Sequence, residues 1–181
     1  FVSAIKANPG GNFILTENIH LGDTINSSII SNTFSGTLNG DGFTISYVAT
    51  ASAASPFGLF QTVSGTIENL NINASMTLSV VDVGGNAAET PVGLLCGELN
   101  GGTIQNCNAI NCMINSNVPS PNGKGIACGL LVGRMTGATL EYCTASGNII
   151  ANGSVGGLVG AALGTNTIKA CYFSGSVTGT L

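Results

Sequence analysis

The same fifteen-residue phrase occurs three times in this chain, and that repetition limits its fold more than any other feature. GLLCGELNGGTIQNC covers residues 93–107, GLLVGRMTGATLEYC covers 129–143 and GLVGAALGTNTIKAC covers 157–171, aligned without a gap. A shorter copy, GLFQTVSGTIENL, spans 58–70 and has Leu70 where the others have Cys107, Cys143 and Cys171. Matching points lie 36 or 37 residues apart between the earlier copies and 28 between the last two. Self-similarity at this spacing belongs to stacked arrays, in which each unit buries its apolar face against its neighbours.

Within each copy an apolar residue stands between polar ones, as in Thr103-Ile104-Gln105, Thr139-Leu140-Glu141 and Thr167-Ile168-Lys169. That is the period of a half-buried strand. No window carries an amphipathic helix of three turns, and Lys and Glu are too scarce for helical repeats. Short strands with Gly/Asn corners predict an all-β fold, a parallel β-helix (β-solenoid) of about five to six coils. Ile67, Ile104, Leu140 and Ile168 are expected to stack as an inward ladder, with Leu70, Cys107, Cys143 and Cys171 stacked beside them. The last coil is expected to hold strands over 158–162, 167–173 and 176–178.

The chain reads as one domain. Residues 1–33 form an N-terminal cap, 34–57 a first coil, and 58–92, 93–128, 129–156 and 157–181 the repeat coils. Gly40, Asp41 and Gly42 make a turn before a strand over 43–47, and the Ala/Ser-rich stretch 49–56 reads as a loop. Insertions over 83–91 and 115–125 lengthen the middle coils, the second being a loop by composition.

Composition narrows the function. Charged residues are 7% of the chain but hydrophobic ones are 44%, which separates it from disordered sequences. The polar surface must therefore come from neutral groups, supplied by 20 Asn, 18 Thr and 17 Ser. A net charge of −4, with four scattered cations (Lys6, Lys124, Arg134 and Lys169), argues against nucleic acid and anionic membranes as partners. No apolar run is long enough for a transmembrane segment. The start at Phe1 suggests a processed chain or a piece of a longer one.

FILTENIHLGD at 13–23, FSGTLNGDGFTI at 34–45 and the repeated GLxxG…TIxxC units resemble the GLUG-repeat class of surface proteins. The literal Gly-Leu-Val-Gly form stands at 157–160 alone. That class shares the right-handed, single-stranded β-helix of the pectin-lyase-like superfamily. The resemblance implies an extracellular, cell-surface module with an adhesion or scaffolding role and does not imply an enzyme, although the superfamily also includes polysaccharide lyases and hydrolases; a non-enzymatic chain with no cofactor is expected. Unpaired edges on a last coil would template another chain. The expected partners are thus a second copy stacked end to end as a filament, neighbouring domains of a longer protein, or glycans. The alternative is a carbohydrate-active β-helix that binds or cleaves a polysaccharide. It would need a groove lined with aromatics, and the chain has no Trp and three Tyr: Tyr47, Tyr142 and Tyr172.

No residues are assigned as catalytic or metal-binding. Stacked Cys107, Cys143 and Cys171 lie within the Cα range of a disulfide, but parallel side chains fit its torsion poorly. They read as buried free thiols, with a bridge as the alternative. Cys96, Cys112 and Cys128 lie off this ladder, and Cys112 with Cys107 or Cys128 is the other pairing to test. Glu98 with Arg134, and Glu141 with Lys169, hold equivalent positions and predict salt bridges between coils. The outward carboxylate column of Glu68 and Glu141 is broken by Gln105. Asp23, Asp41 and Asp82 sit in turns, and His20 is a surface or cap residue with no nucleophile motif beside it. Thr66, Thr103, Thr139 and Thr167, with Thr44 at the start, form an outward column that β-propensity explains. An ice-binding face would need a second flat row, and the adjacent one is charged. Asn26, Asn73 and Asn152 open N-glycosylation sequons.

Overall fold

The Thr-apolar-polar triplets build the narrowest of three parallel sheets and set the rise of the whole molecule. The computed structural model describes residues 1–23, 25–52, 55–80, 89–116 and 125–180. A helix, α1 (Val2–Ala7), precedes the first coil, which holds β1 (Asn12–Ile14) and β2 (Ile19–His20). The second coil holds β3 (Thr37–Asn39), β4 (Thr44–Ser52) and β5 (Phe60–Val63). The third has β6 (Thr66–Glu68), β7 (Asn71–Val80), β8 (Thr90–Gly93) and β9 (Cys96–Asn100). The fourth repeats this plan with β10 (Thr103–Gln105), β11 (Asn108–Asn115), β12 (Ile126–Gly129) and β13 (Val132–Thr136). The fifth has β14 (Thr139–Glu141), a 13-residue β15 (Thr144–Gly156) and β16 (Val159–Leu163). The sixth has β17 (Thr167–Lys169) and β18 (Tyr172–Thr180).

Every pairing is parallel and joins successive coils. The first sheet runs β1-β3-β6-β10-β14-β17, the second β2-β4-β7-β11-β15 with β18 also on β15, and the third β5-β9-β13-β16. β12 and β8 join the second sheet through the far half of β15. The chain is a parallel β-solenoid. Leu38, Ile67, Ile104, Leu140 and Ile168 lie in one register column. The first four are wholly buried, while Ile168 is 51% exposed.

The two ends therefore differ. In the first coil Leu15, Ile30 and Phe34 are buried, and Ile5 of α1 joins the same core. In the sixth coil Ile168, Tyr172 and Val177 are exposed, and nothing stacks on them among the described residues.

From the first sheet to the second the chain turns at one left-handed residue per coil: Asn69 (φ 54°), Asn106 (51°), Tyr142 (54°) and Ala170 (51°). Asn tolerates this region; Tyr and Ala are strained there by about 1 kcal/mol. Replacing exposed Ala170 by Asn should therefore stabilise the protein by about 0.5–1 kcal/mol, read as a rise of ~2 °C in Tm.

Several expectations are revised. Of the expected cap at 1–33, residues 12–23 and 25–33 belong to a coil: β1 and β2 pair with β3 and β4, and Ile25 and Ile30, like Phe34 after them, bridge to Ala49, Phe60 and Val63. The capping element is α1. The gapless alignment of the last two copies is off by one residue over its Gly-Leu half. Val132 pairs with Val159 and Arg134 with Ala161, whereas Thr139 pairs with Thr167. One extra residue sits in the corner after β16, where Asn166 takes the place of backbone. Its Oδ1 accepts from the Ala138 N–H at 2.9 Å and its Nδ2 donates to Leu163 O at 2.8 Å. In this register Gly97, Gly133 and Gly160 form one column.

The expected strand over 167–173 is split at Ala170, and the one over 176–178 belongs to a longer β18. Residues 49–52 continue β4 instead of forming a loop, because Ala49 stacks on Met76 in the core. Pro91 and Asn115 lie in β8 and β11; most of both insertions, with Asp82 and Lys124, falls outside the described residues. The threonine column begins at Thr37 rather than Thr44, which belongs to the second sheet.

Candidate functional site

Stacking in register brings like positions within reach of each other, so several polar side chains find a partner one coil away. The Arg134 guanidinium lies 3.3 Å from the Glu98 carboxylate and also donates to Glu89 O at 3.4 Å. Gln105 Nε2 donates to the Glu68 carboxylate at 2.7 Å, joining the carboxylate column across its interruption. Glu141 and Lys169 stand in register, but no ion pair forms between them. The Lys169 ammonium instead lies 5.5 Å from the centre of the Tyr142 ring, and its hydrogen bond with Tyr142 raises its pKa. His20 pairs with Asp23 at 3.2 Å on the surface.

All six cysteines are free thiols. For four of them stacking gives the reason: the thiols of Cys107, Cys112, Cys143 and Cys171 each point at a carbonyl two residues upstream and at one of the preceding coil. Cys107, Cys143 and Cys171 lie 3.2–3.3 Å from the oxygens of Gln105, Glu141 and Lys169, two residues upstream of each. Burial pushes the thiols of Cys96, Cys107 and Cys128 far up, and that of Cys112 to about 11. Cys143 moves the other way because the Cys107 thiol and backbone N–H both donate to it. The bridges between Cys112 and Cys107 or Cys128 are not formed. Buried, protonated thiols of this kind act as small hydrophobes.

Of the sequons, Asn26 and Asn73 are exposed. Asn152 is 5% exposed in β15, and its sequon hydroxyl, Ser154 Oγ, is bound to Glu89 at 3.0 Å. Asn152 is therefore removed from the candidate glycosylation sites: a glycan has no room there.

One strip of surface combines the features of a binding site. It follows the left-handed corner between the first and second sheets and rises from coil to coil. At its lower end Asp41, Gly42, Asn69, Asn71, Asn106 and Asn108 line an open groove of about 360 Å³. Thr44, Asn71, Asn108, Thr144 and Tyr172 occupy successive rungs of one column. Their hydrogen bonds run one way: Thr144 Oγ1 donates to Asn108 Oδ1 (2.7 Å), Asn108 Nδ2 to Asn71 Oδ1 (2.9 Å), and Asn71 Nδ2 to Gly42 O (2.7 Å). Each amide is thus held in one orientation, with a second donor hydrogen and lone pair unused. Asn69, Asn106 and Tyr142 form the adjacent corner column. At the upper end stand Tyr142 (49% exposed) in the fifth coil and Tyr172 (66%) in the sixth, in neighbouring columns. Tyr47 is not part of any surface platform: it is buried, and its hydroxyl donates to Leu94 O at 2.5 Å inside the core.

Sequence reasoning picked out Tyr142 and Tyr172 but treated Asn as bulk surface. The signal was present as a spacing: Asn-Leu-Asn at 69–71 and Asn-Cys-Asn at 106–108 place one amide on either side of each inward ladder residue. Glu89, which holds Ser154 and supports Arg134, had no motif to announce it. No family model matches the chain, and neither the curated proteins nor the solved structures contain a match to it.

Proposed function

We propose that this chain is a non-enzymatic structural module, a rigid β-solenoid rod displayed outside the cell and used in adhesion or scaffolding, in the manner of GLUG-repeat surface proteins. The observation that carries this reading is the coil-to-coil pairing of polar side chains. Arg134 with Glu98, Gln105 with Glu68, and Asn108 with Asn71 spend their strongest groups on one another. Such pairing stiffens a face and leaves few groups free to act as acid or base. Polysaccharide cleavage on a β-helix needs carboxylates that converge across one sugar bond. Here the Glu68 carboxylate is tied to Gln105, and Glu141 lies beyond it in the same column.

End-to-end assembly is the variant that the molecule's ends bear on. A head-to-tail filament would set the open sixth coil against the first, so α1 would have to be displaced. Two open ends meeting make an isologous contact, which closes at a dimer. The test combines two measurements. Beads coated with the protein should attach to cell-surface material while releasing no sugar from polysaccharides. Sedimentation of the intact chain should show monomers or dimers, and removal of residues 1–8 should shift them to longer assemblies. Polysaccharide turnover, or beads that fail to attach, would sink the adhesion reading; filaments with α1 in place would sink the account of the ends.

A further inference from the structure

The adhesion reading leaves open what the rod would hold, and the corner strip narrows that choice. We propose that it binds a neutral polysaccharide, with the sugar chain lying parallel to the solenoid axis. The proposal rests on the adhesion reading and names its ligand class.

Four observations support it. First, the strip repeats along the axis at one strand spacing, ~4.8 Å per coil, and a pyranose unit in an extended chain advances by nearly the same distance. From Asn71 to Tyr172 the column spans three such steps, ~14 Å, enough for a short oligosaccharide. Second, the groove offers amides fixed by the hydrogen-bond chain from Thr144 to Gly42. A sugar hydroxyl both donates and accepts, and an amide whose orientation is already set meets it without further ordering cost. Third, the upper end offers aromatic rings. Lys169 covers one face of Tyr142, while Tyr172 is the more exposed ring, and the apolar C–H face of a pyranose packs on such a surface. Tyr142 also holds a left-handed conformation that Asn fills in the two coils below, and strain kept in place by a bulky residue is a mark of sites under functional demand. Fourth, the charges fit a neutral chain. Asp41 is the sole charged residue among those lining the groove, and the protein's net charge is −4. An acidic polysaccharide would be repelled.

The test is a binding assay of the full chain against neutral polysaccharides (a β-glucan and a mannan) and an acidic one (a pectate), with two variants. Tyr172→Ala removes an exposed ring without touching the core, and Asn106→Gly removes an amide while keeping the left-handed corner. Thermal unfolding confirms that both stay folded. The expected result is saturable binding to at least one neutral polymer, weakened roughly five- to tenfold by Tyr172→Ala and measurably by Asn106→Gly. Neutral binding that neither substitution weakens overturns the assignment, and so does a preference for pectate. Absence of binding to every polymer also overturns it. Bead attachment that persists in that case would show that adhesion stands while this ligand class falls.

Discussion

Gly147→Ala is expected to destabilise the protein by about 4 kcal/mol or more, lowering Tm by ~10 °C. Two penalties coincide at this position. Its φ of +142° belongs to a region that residues with a side chain rarely adopt, and an added Cβ would meet the backbone carbonyl of Cys112 one coil below. Gly175 stands on Gly147 with the same conformation, so the next coil up cannot give way either. The need arises from β11, which carries one residue more than either neighbour between Ala109 and Cys112, with Asn111 at φ 52°. Gly179→Ala is the control. It lies in β18 with ordinary φ and nothing near its would-be Cβ, so its change should stay within about 0.5 kcal/mol. Equal effects at the two glycines would contradict the stacking of β11, β15 and β18.

Leu140→Ala should cost about 3 kcal/mol, whereas Ile168→Ala, one rung higher in the same column, should cost under ~1 kcal/mol. Leu140 is wholly buried between Ile104 and Ile168, so its truncation leaves a cavity that stacked backbone cannot close. Ile168 is half exposed and leaves none. Chemical denaturation of the two variants measures the difference. If both cost the same, something covers the sixth coil in solution, and the ends are alike after all.

Sequence reasoning reached β6, β10, β14 and β17 of the first sheet because their triplets share one pattern, an apolar residue between two polar ones with a threonine at each start, while β1 and β3 escaped it. It failed where geometry is conserved by different chemistry. The first coil pairs through two short strands, β1 and β2, and through single contacts at Ile25, Ile30 and Phe34, with no phrase in common with the later repeats. In the last copy, one extra corner residue is absorbed by the Asn166 side chain, and a gapless alignment has no means of registering that. The six-residue α1 is too short for its periodicity to stand out. The amide column was hidden for a related reason: Asn reads as a turn residue in one dimension, and becomes a ladder only when coils about 36 residues apart are laid over each other. Salt bridges were half legible. Register could be inferred from spacing, but the ring that draws Lys169 away from Glu141 could not.

Coils that stack in chain order give folding a direction in time. A chain made from its N-terminus can close α1 over the first coil early, and each later coil then folds onto a finished surface instead of searching for a distant partner. Growth would proceed like courses of masonry, each laid on the one beneath.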